Sequence, residues 1–123
     1  MTNQIQGEIL FAGWAGNSVS TWAYTPWMPV FGDFGTFAVE VTNIKGVTLS
    51  WDVETRTLED PATTSSILSG TQTIAVIGTS VTQSDSGKPA KELVRYKFST
   101  GSSVSADNFA LFRSLDPSWK RNR

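Results

Sequence analysis

The chain of 123 residues contains no histidine and no cysteine. Missing imidazole means no general base that titrates near neutrality and no nitrogen ligand for zinc, copper or iron. Missing thiols mean no thiolate nucleophile, no disulfide and no iron–sulfur cluster. Together these absences point away from an enzyme and from any cofactor or metal, and the fold must hold without covalent staples. Apolar runs are short, and none approaches the roughly 18 residues a membrane-crossing helix needs. Met1-Thr2-Asn3-Gln4 lacks the basic start of a secretory signal. Charge is close to balanced at a formal net of −1, and a pI near 5.3 lacks the basic footprint of a nucleic-acid binder.

Aromatic side chains are what the chain does have. Five are tryptophans: Trp14, Trp22, Trp27, Trp51 and Trp119. Large apolar rings with one polar handle serve cores and contact surfaces. A hydrophobic fraction of 39% belongs to a folded chain, and its length fits one domain over residues 1–123.

Periodicity predicts strands. In Val47–Thr55, Val47, Leu49, Trp51 and Val53 alternate with Thr48, Ser50, Asp52 and Glu54, the pattern of a half-buried strand. Phe37, Val39 and Val41 alternate just upstream, and the short link Asn43-Ile44-Lys45-Gly46 predicts a hairpin between the two. Val94, Tyr96 and Phe98 point inward from Lys91–Ser99, with Arg95 and Lys97 outward. The run around Ile74-Ala75-Val76-Ile77 predicts a more buried strand over 73–81. Further strands are expected near 8–14, 18–24 and 108–113. Turn residues such as Gly32-Asp33-Phe34-Gly35, Asp60-Pro61, Ser69-Gly70 and Ser84–Pro89 separate them. Seven or eight short strands without helical periodicity predict an all-β, antiparallel sandwich, jelly-roll-like or immunoglobulin-like. The Ile67-Leu68 pair is expected to anchor the longest excursion, Asp60–Gly70, to the core, or otherwise to offer an apolar contact to a neighbouring subunit.

Charge is unevenly placed. Residues 1–87 carry a net of −6 and residues 88–123 a net of +5. Acidic early strands lying beside basic late strands would give cross-strand ion pairs; alternatively, opposite faces would attract successive copies.

Candidate chemistry is sparse. Asp52 and Glu54 lie two apart, with Glu59 and Asp60 soon after, and a carboxylate pair is the minimum for glycosidic cleavage. Alternation with Ser and Thr makes this a solvated strand face. The Gly87-Lys88 pair lacks the upstream glycine of a phosphate-binding loop and is followed by Pro89, so it reads as a hairpin turn. Two prolines flank Trp27 in Thr25-Pro26-Trp27-Met28-Pro29-Val30-Phe31, which excludes a central strand. Trp27 then plugs an end of the sandwich, anchors a partner, or offers a sugar-stacking ring. The C-terminus, about residues 114–123, sets Trp119 among Lys120, Arg121 and Arg123 and reads as an arm.

In overall character, as a cysteine-free, Ser/Thr-rich β-sandwich without signal or catalytic residues, the chain resembles small accessory proteins of phage and virus particles, the head decoration, cement or minor capsid type. That resemblance implies a non-enzymatic structural protein of the virion, assembled in the host cytoplasm. Its partners would be copies of itself and a major capsid or other virion protein, with neither direct nucleic-acid contact nor membrane involved. Trp27, Met28, Phe31, Trp119, Lys120, Arg121 and Arg123 are the candidate interface. The alternative is a carbohydrate-binding or adhesin module using surface tryptophans.

Overall fold

The computed structural model describes residues 9–15, 23–46, 48–85, 87–99 and 109–121. They form eleven strand segments and, among the described residues, no helix. One sheet contains β1 (Ile9–Ala15), β4 (Phe34–Lys45), β8 (Gly78–Gln83), β10 (Phe109–Leu115) and β11 (Ser118–Lys120). The other contains β2 (Ala23–Tyr24), β3 (Met28–Pro29), β5 (Leu49–Arg56), β6 (Ser65–Ser66), β7 (Gln72–Ile74) and β9 (Leu93–Ser99). Every pairing among these strands is antiparallel.

Registers show that some segments run end to end along one neighbour. β2 and β3 share one edge of β9, opposite Phe98–Lys97 and Val94–Leu93. β6 and β7 share one edge of β5, and β10 and β11 share one edge of β4. Counting each such pair as a single strand leaves eight among the described residues. Their order is first–eighth–third–sixth in one sheet and second–seventh–fourth–fifth in the other. That interlocked order is the jelly roll rather than the immunoglobulin arrangement.

The expected hairpin between β4 and β5 does not form. β4 belongs to one sheet and β5 to the other, so the link through Gly46, which takes a φ of 74°, turns a corner between sheets. A left-handed glycine suits either kind of turn, and burying both apolar faces decides between them. The Ser84–Pro89 turn likewise crosses from β8 to β9 instead of closing a hairpin. Within it, the amides of Lys88 and Gly87 donate to the Asp85 carbonyl and side chain at 2.8 and 2.9 Å.

Between the sheets lie Phe37, Val39 and Val41 from β4, Leu49, Trp51 and Val53 from β5, and Val94, Tyr96 and Phe98 from β9, all buried. The rings interlock edge to face and tilted. Phe37 meets Tyr96 at 5.8 Å and 84°, and Phe98 meets Phe112 at 4.5 Å. Such contacts add about 0.5–1.5 kcal/mol each beyond area burial. Ile67 and Leu68 are buried in this core, as expected of an anchored excursion.

The 73–81 run departs from expectation. Ile74 is buried, but Val76 is 71% exposed and Ile77 lies in the open. These residues carry the chain from β7 across to β8, so an apolar run here marks a crossover and not one buried strand.

Candidate interaction surface

Two regions bring charged and aromatic side chains together. The first is the outer face of the sheet built on β5 and β9. Pairing sets Asp52 opposite Lys97 and Glu54 opposite Arg95. Strand alternation sends all four away from the core. Expected to be solvated, this face is not. Asp52 is only 5% exposed and Glu54 only 9%.

Partners explain how the two carboxylates tolerate burial. Glu54 Oε1 accepts from Arg95 at 3.0 and 3.1 Å, and Lys97 Nζ lies 3.3 Å from its Oε2. Asp52 Oδ1 accepts from the Ser66 hydroxyl and from the Val53 amide, both at 2.8 Å. Burial raises the Asp52 carboxyl above the ordinary carboxylate range, while the Ser66 hydroxyl, the Val53 amide and Lys97 pull it down. Acids from early strands thus meet bases from late ones, as Glu40 and Arg113 also do at 2.6 Å on the other sheet. At these sites the uneven charge along the chain forms cross-strand pairs inside one subunit.

Arg95 does more than pair. Its guanidinium lies 3.8 Å from the centroid of Tyr24 and 4.3 Å from that of Trp27. Arg56 lies over the same Trp27 ring at 4.8 Å. Thr25, Pro26 and Trp27 interrupt this edge between β2 and β3, Pro29 closes β3, and Trp27 lies across the sheet face. Trp27 therefore covers the outside of the sandwich rather than plugging its end. Contacts of this kind contribute about 0.5–2 kcal/mol each, more when water is excluded.

The second region is one end of the sandwich, where the connections through 30–33, 57–64 and 84–92 meet the C-terminal strand. Backbone bonds tie them together: Val30 to Glu92 at 3.2 Å, Ala90 to Asp33 at 2.9 Å, and Asp33 to Lys120 at 3.1 Å. The Leu58 amide donates to the Glu92 carboxylate at 2.6 Å. A cleft of about 570 Å³ opens between Ser65–Ile67 and Lys88–Lys91, with a mostly apolar lining. A smaller polar cleft of about 300 Å³ lies among Val30–Asp33, Ala90, Lys91 and Arg121. Ala90 and Lys91 line both, so the two clefts adjoin at this groove.

The sequence-predicted interface residues divide between these regions and the core. Phe31 is 75% exposed at the groove, and Lys120 and Arg121 are exposed beside it. Met28 packs partly buried against the core. Trp119 is half-buried, its ring 5.7 Å from that of Phe37 at 89°. The segment expected to be an arm is instead laid along β4, as far as it is described, with Trp119 opposite Gly35. An antiparallel strand that satisfies backbone groups and caps a core ring outcompetes an extended tail. Arg123 and Trp22 lie outside the described residues, and Trp14 is described only in its backbone, opposite Leu111.

The sequence did not single out Tyr24, Arg95, Lys88 or Leu58 as candidate contact residues. Arg95 carried a signal, because its outward position on β9 was legible; its ring partners come from an edge whose register was not. Among the described residues no group of acids is arranged to hold a metal, and no helix is long and apolar enough to cross a membrane. The chain matches no family model, no curated protein and no solved structure.

Proposed function

We propose that this chain is a non-enzymatic structural protein of a virus particle, a decoration, cement or minor capsid subunit that works through protein–protein contacts. One observation carries the reading: the eight-stranded jelly-roll order, an architecture that viral capsid domains use. This is an argument from fold, and fold alone does not fix function. Surface chemistry supports it. The polar face that most resembled a catalytic carboxylate pair is committed to ion pairs and hydrogen bonds, with Glu54 held by two cations. The groove at the loop end presents exposed apolar and cationic side chains suited to a protein partner. In this reading the partners are further copies and a shell protein, and the site of action is the virion.

Electron microscopy of the concentrated protein tests it. Rings, sheets or shells of regular spacing are the expected result. Dispersed single subunits that neither assemble nor adsorb to a particle would remove the reading.

A second reading, a carbohydrate-binding module, is favoured by Tyr24 and Trp27 on one sheet face, since jelly rolls also serve lectins. It ranks below the first because guanidinium groups already lie over the Trp27 ring. Binding to an immobilised glycan panel that is lost in Tyr24→Ala would reverse that order.

A further inference from the structure

The loop end of the sandwich carries a knob beside a hole. The knob is the turn Leu58-Glu59-Asp60, which leaves Leu58 62% exposed and both acidic residues in solvent. Asp60 shapes it, accepting from the Ala62 amide through its side chain at 3.2 Å and from the Thr63 amide through its carbonyl at 3.4 Å. Leu58 thus stands out from the surface on a turn that also carries two acidic side chains.

The hole is the groove already described. Ile67, Pro89 and Ala90 give its larger cleft an apolar lining. Lys88 and Lys91 stand exposed at that cleft, and Arg121 stands at its polar extension. The ion pairs of the described residues use Arg95, Lys97 and Arg113 and none of these three cations. Asp33 is the acid at the groove itself, and the Glu92 carboxylate nearby already accepts the Leu58 amide.

Knob and hole are neighbours on one surface. The bond from Leu58 to Glu92 ties the knob to the residue that follows Lys91. A protruding acidic turn next to a basic, apolar-floored groove is a self-complementary patch. A twofold axis between two copies satisfies both halves at once.

We infer that this chain associates with a second copy of itself about a twofold axis, the Leu58–Asp60 turn of each entering the groove of the other. Leucine meets the apolar floor, and Glu59 and Asp60 meet Lys88, Lys91 and Arg121. Phe31, exposed at the groove's other end, extends the apolar area. A polyanion such as nucleic acid fits less well, because the same rim carries Glu59, Asp60 and Asp33. The inference rests on the structural-subunit reading and names its first contact.

Charge swapping tests it. One variant, E59K/D60N, makes the knob basic, while the carboxamide introduced at position 60 keeps an oxygen for the Ala62 amide. The other, K88E/K91E, makes the groove acidic. All four positions are exposed, so both variants should stay folded, which circular dichroism checks. Sedimentation velocity at low salt should show the wild type associating and each variant alone weakened at least tenfold. An equimolar mixture should regain association, because a basic knob then meets an acidic groove and an acidic knob a basic one. Leu58→Ala should weaken association without altering its salt dependence.

Wild-type association that neither reversal weakens, or weakened variants that do not recover on mixing, would overturn the contact and leave the subunit reading standing. A wild type that stays monomeric at every concentration would overturn the contact, and one that also fails to adsorb to a particle would remove the subunit reading with it. Capture of an acidic peptide by such a monomer would reassign the groove to a foreign partner.

Discussion

The amide of Ala38 donates across the sandwich to the hydroxyl of Tyr96, at 3.1 Å. Ala38 faces the gap where the chain leaves β10 at Leu115 and returns to the same edge of β4 as β11 at Ser118. Among the described residues no strand reaches the amide there, and an orphaned buried N–H is costly. Tyr96 reaches it from β9 and donates its own proton to the Leu115 carbonyl at 2.8 Å. One hydroxyl thus ties both sheets and the interrupted edge together.

Removing that hydroxyl strands a buried donor and an acceptor. Tyr96→Phe should destabilise the fold by about 1–3 kcal/mol, read from urea unfolding. Hydrogen exchange should accelerate at the Ala38 amide more than at amides inside the β5–β9 ladder. Burial also pushes the phenol's ionisation upward, so Tyr96 should stay protonated in alkaline buffers that ionise an ordinary tyrosine.

β11 fits against β4 because residue 35 has no side chain. A Cβ there would sit 2.8 Å from the Phe37 ring and 2.9 Å from the Trp119 ring. Gly35→Ala should cost about 1–3 kcal/mol by forcing these rings apart. Gly70→Ala is the control. Nothing lies within 4 Å of its added carbon, so the change should be neutral or slightly stabilising through the unfolded chain. Equal effects of the two in thermal unfolding would contradict the packing described for Trp119.

Asp52 gives stability a pH slope of defined sign. Its carboxyl is raised above the 3.8 of an ordinary aspartate, first by burial and then by Glu54, against Ser66, Val53 and Lys97. The folded chain therefore holds this proton more tightly than the unfolded chain. The contribution of Asp52 is fully present below about pH 4 and declines as pH rises through the raised value. Asp52→Asn abolishes that slope. In urea titrations from about pH 3 to pH 7, the variant should gain on the wild type as pH rises. A constant difference across the range would refute the assignment.

Trp27 holds the outer face by stacking on Arg95 and Arg56. Trp27→Ala should cost about 1–2 kcal/mol, and Trp27→Phe much less. If Trp27→Ala leaves stability unchanged in chemical unfolding, the stack contributes nothing to the fold and its ring is better assigned to a ligand.

Much of the fold was legible because burial imposes a period of two. Val39–Val41, Leu49–Val53 and Val94–Phe98 all place their apolar side chains in the core as alternation demands. Strand pairing was harder to read. A short link with a left-handed glycine fits a hairpin and a corner equally, and only the closing of two sheets around shared rings assigns Gly46 to a corner. Polar alternation at Asp52 and Glu54 signalled an outward face but not its covering, which depends on Arg95, Lys97 and Ser66 arriving from other strands. At the surface, Phe31 and Arg121 emerged from composition, whereas the groove they border exists only once distant segments meet.

The claim that this jelly roll works by associating with itself and its neighbours meets its most direct test in absolute mass. Light scattering on a size-exclusion column, across concentrations and at low and high salt, measures it. The account predicts a multiple of 13.4 kDa at low salt, shifting toward the single chain as salt screens the contact between Glu59 or Asp60 and Lys88 or Lys91. A folded species of 13.4 kDa at every concentration and salt would contradict it.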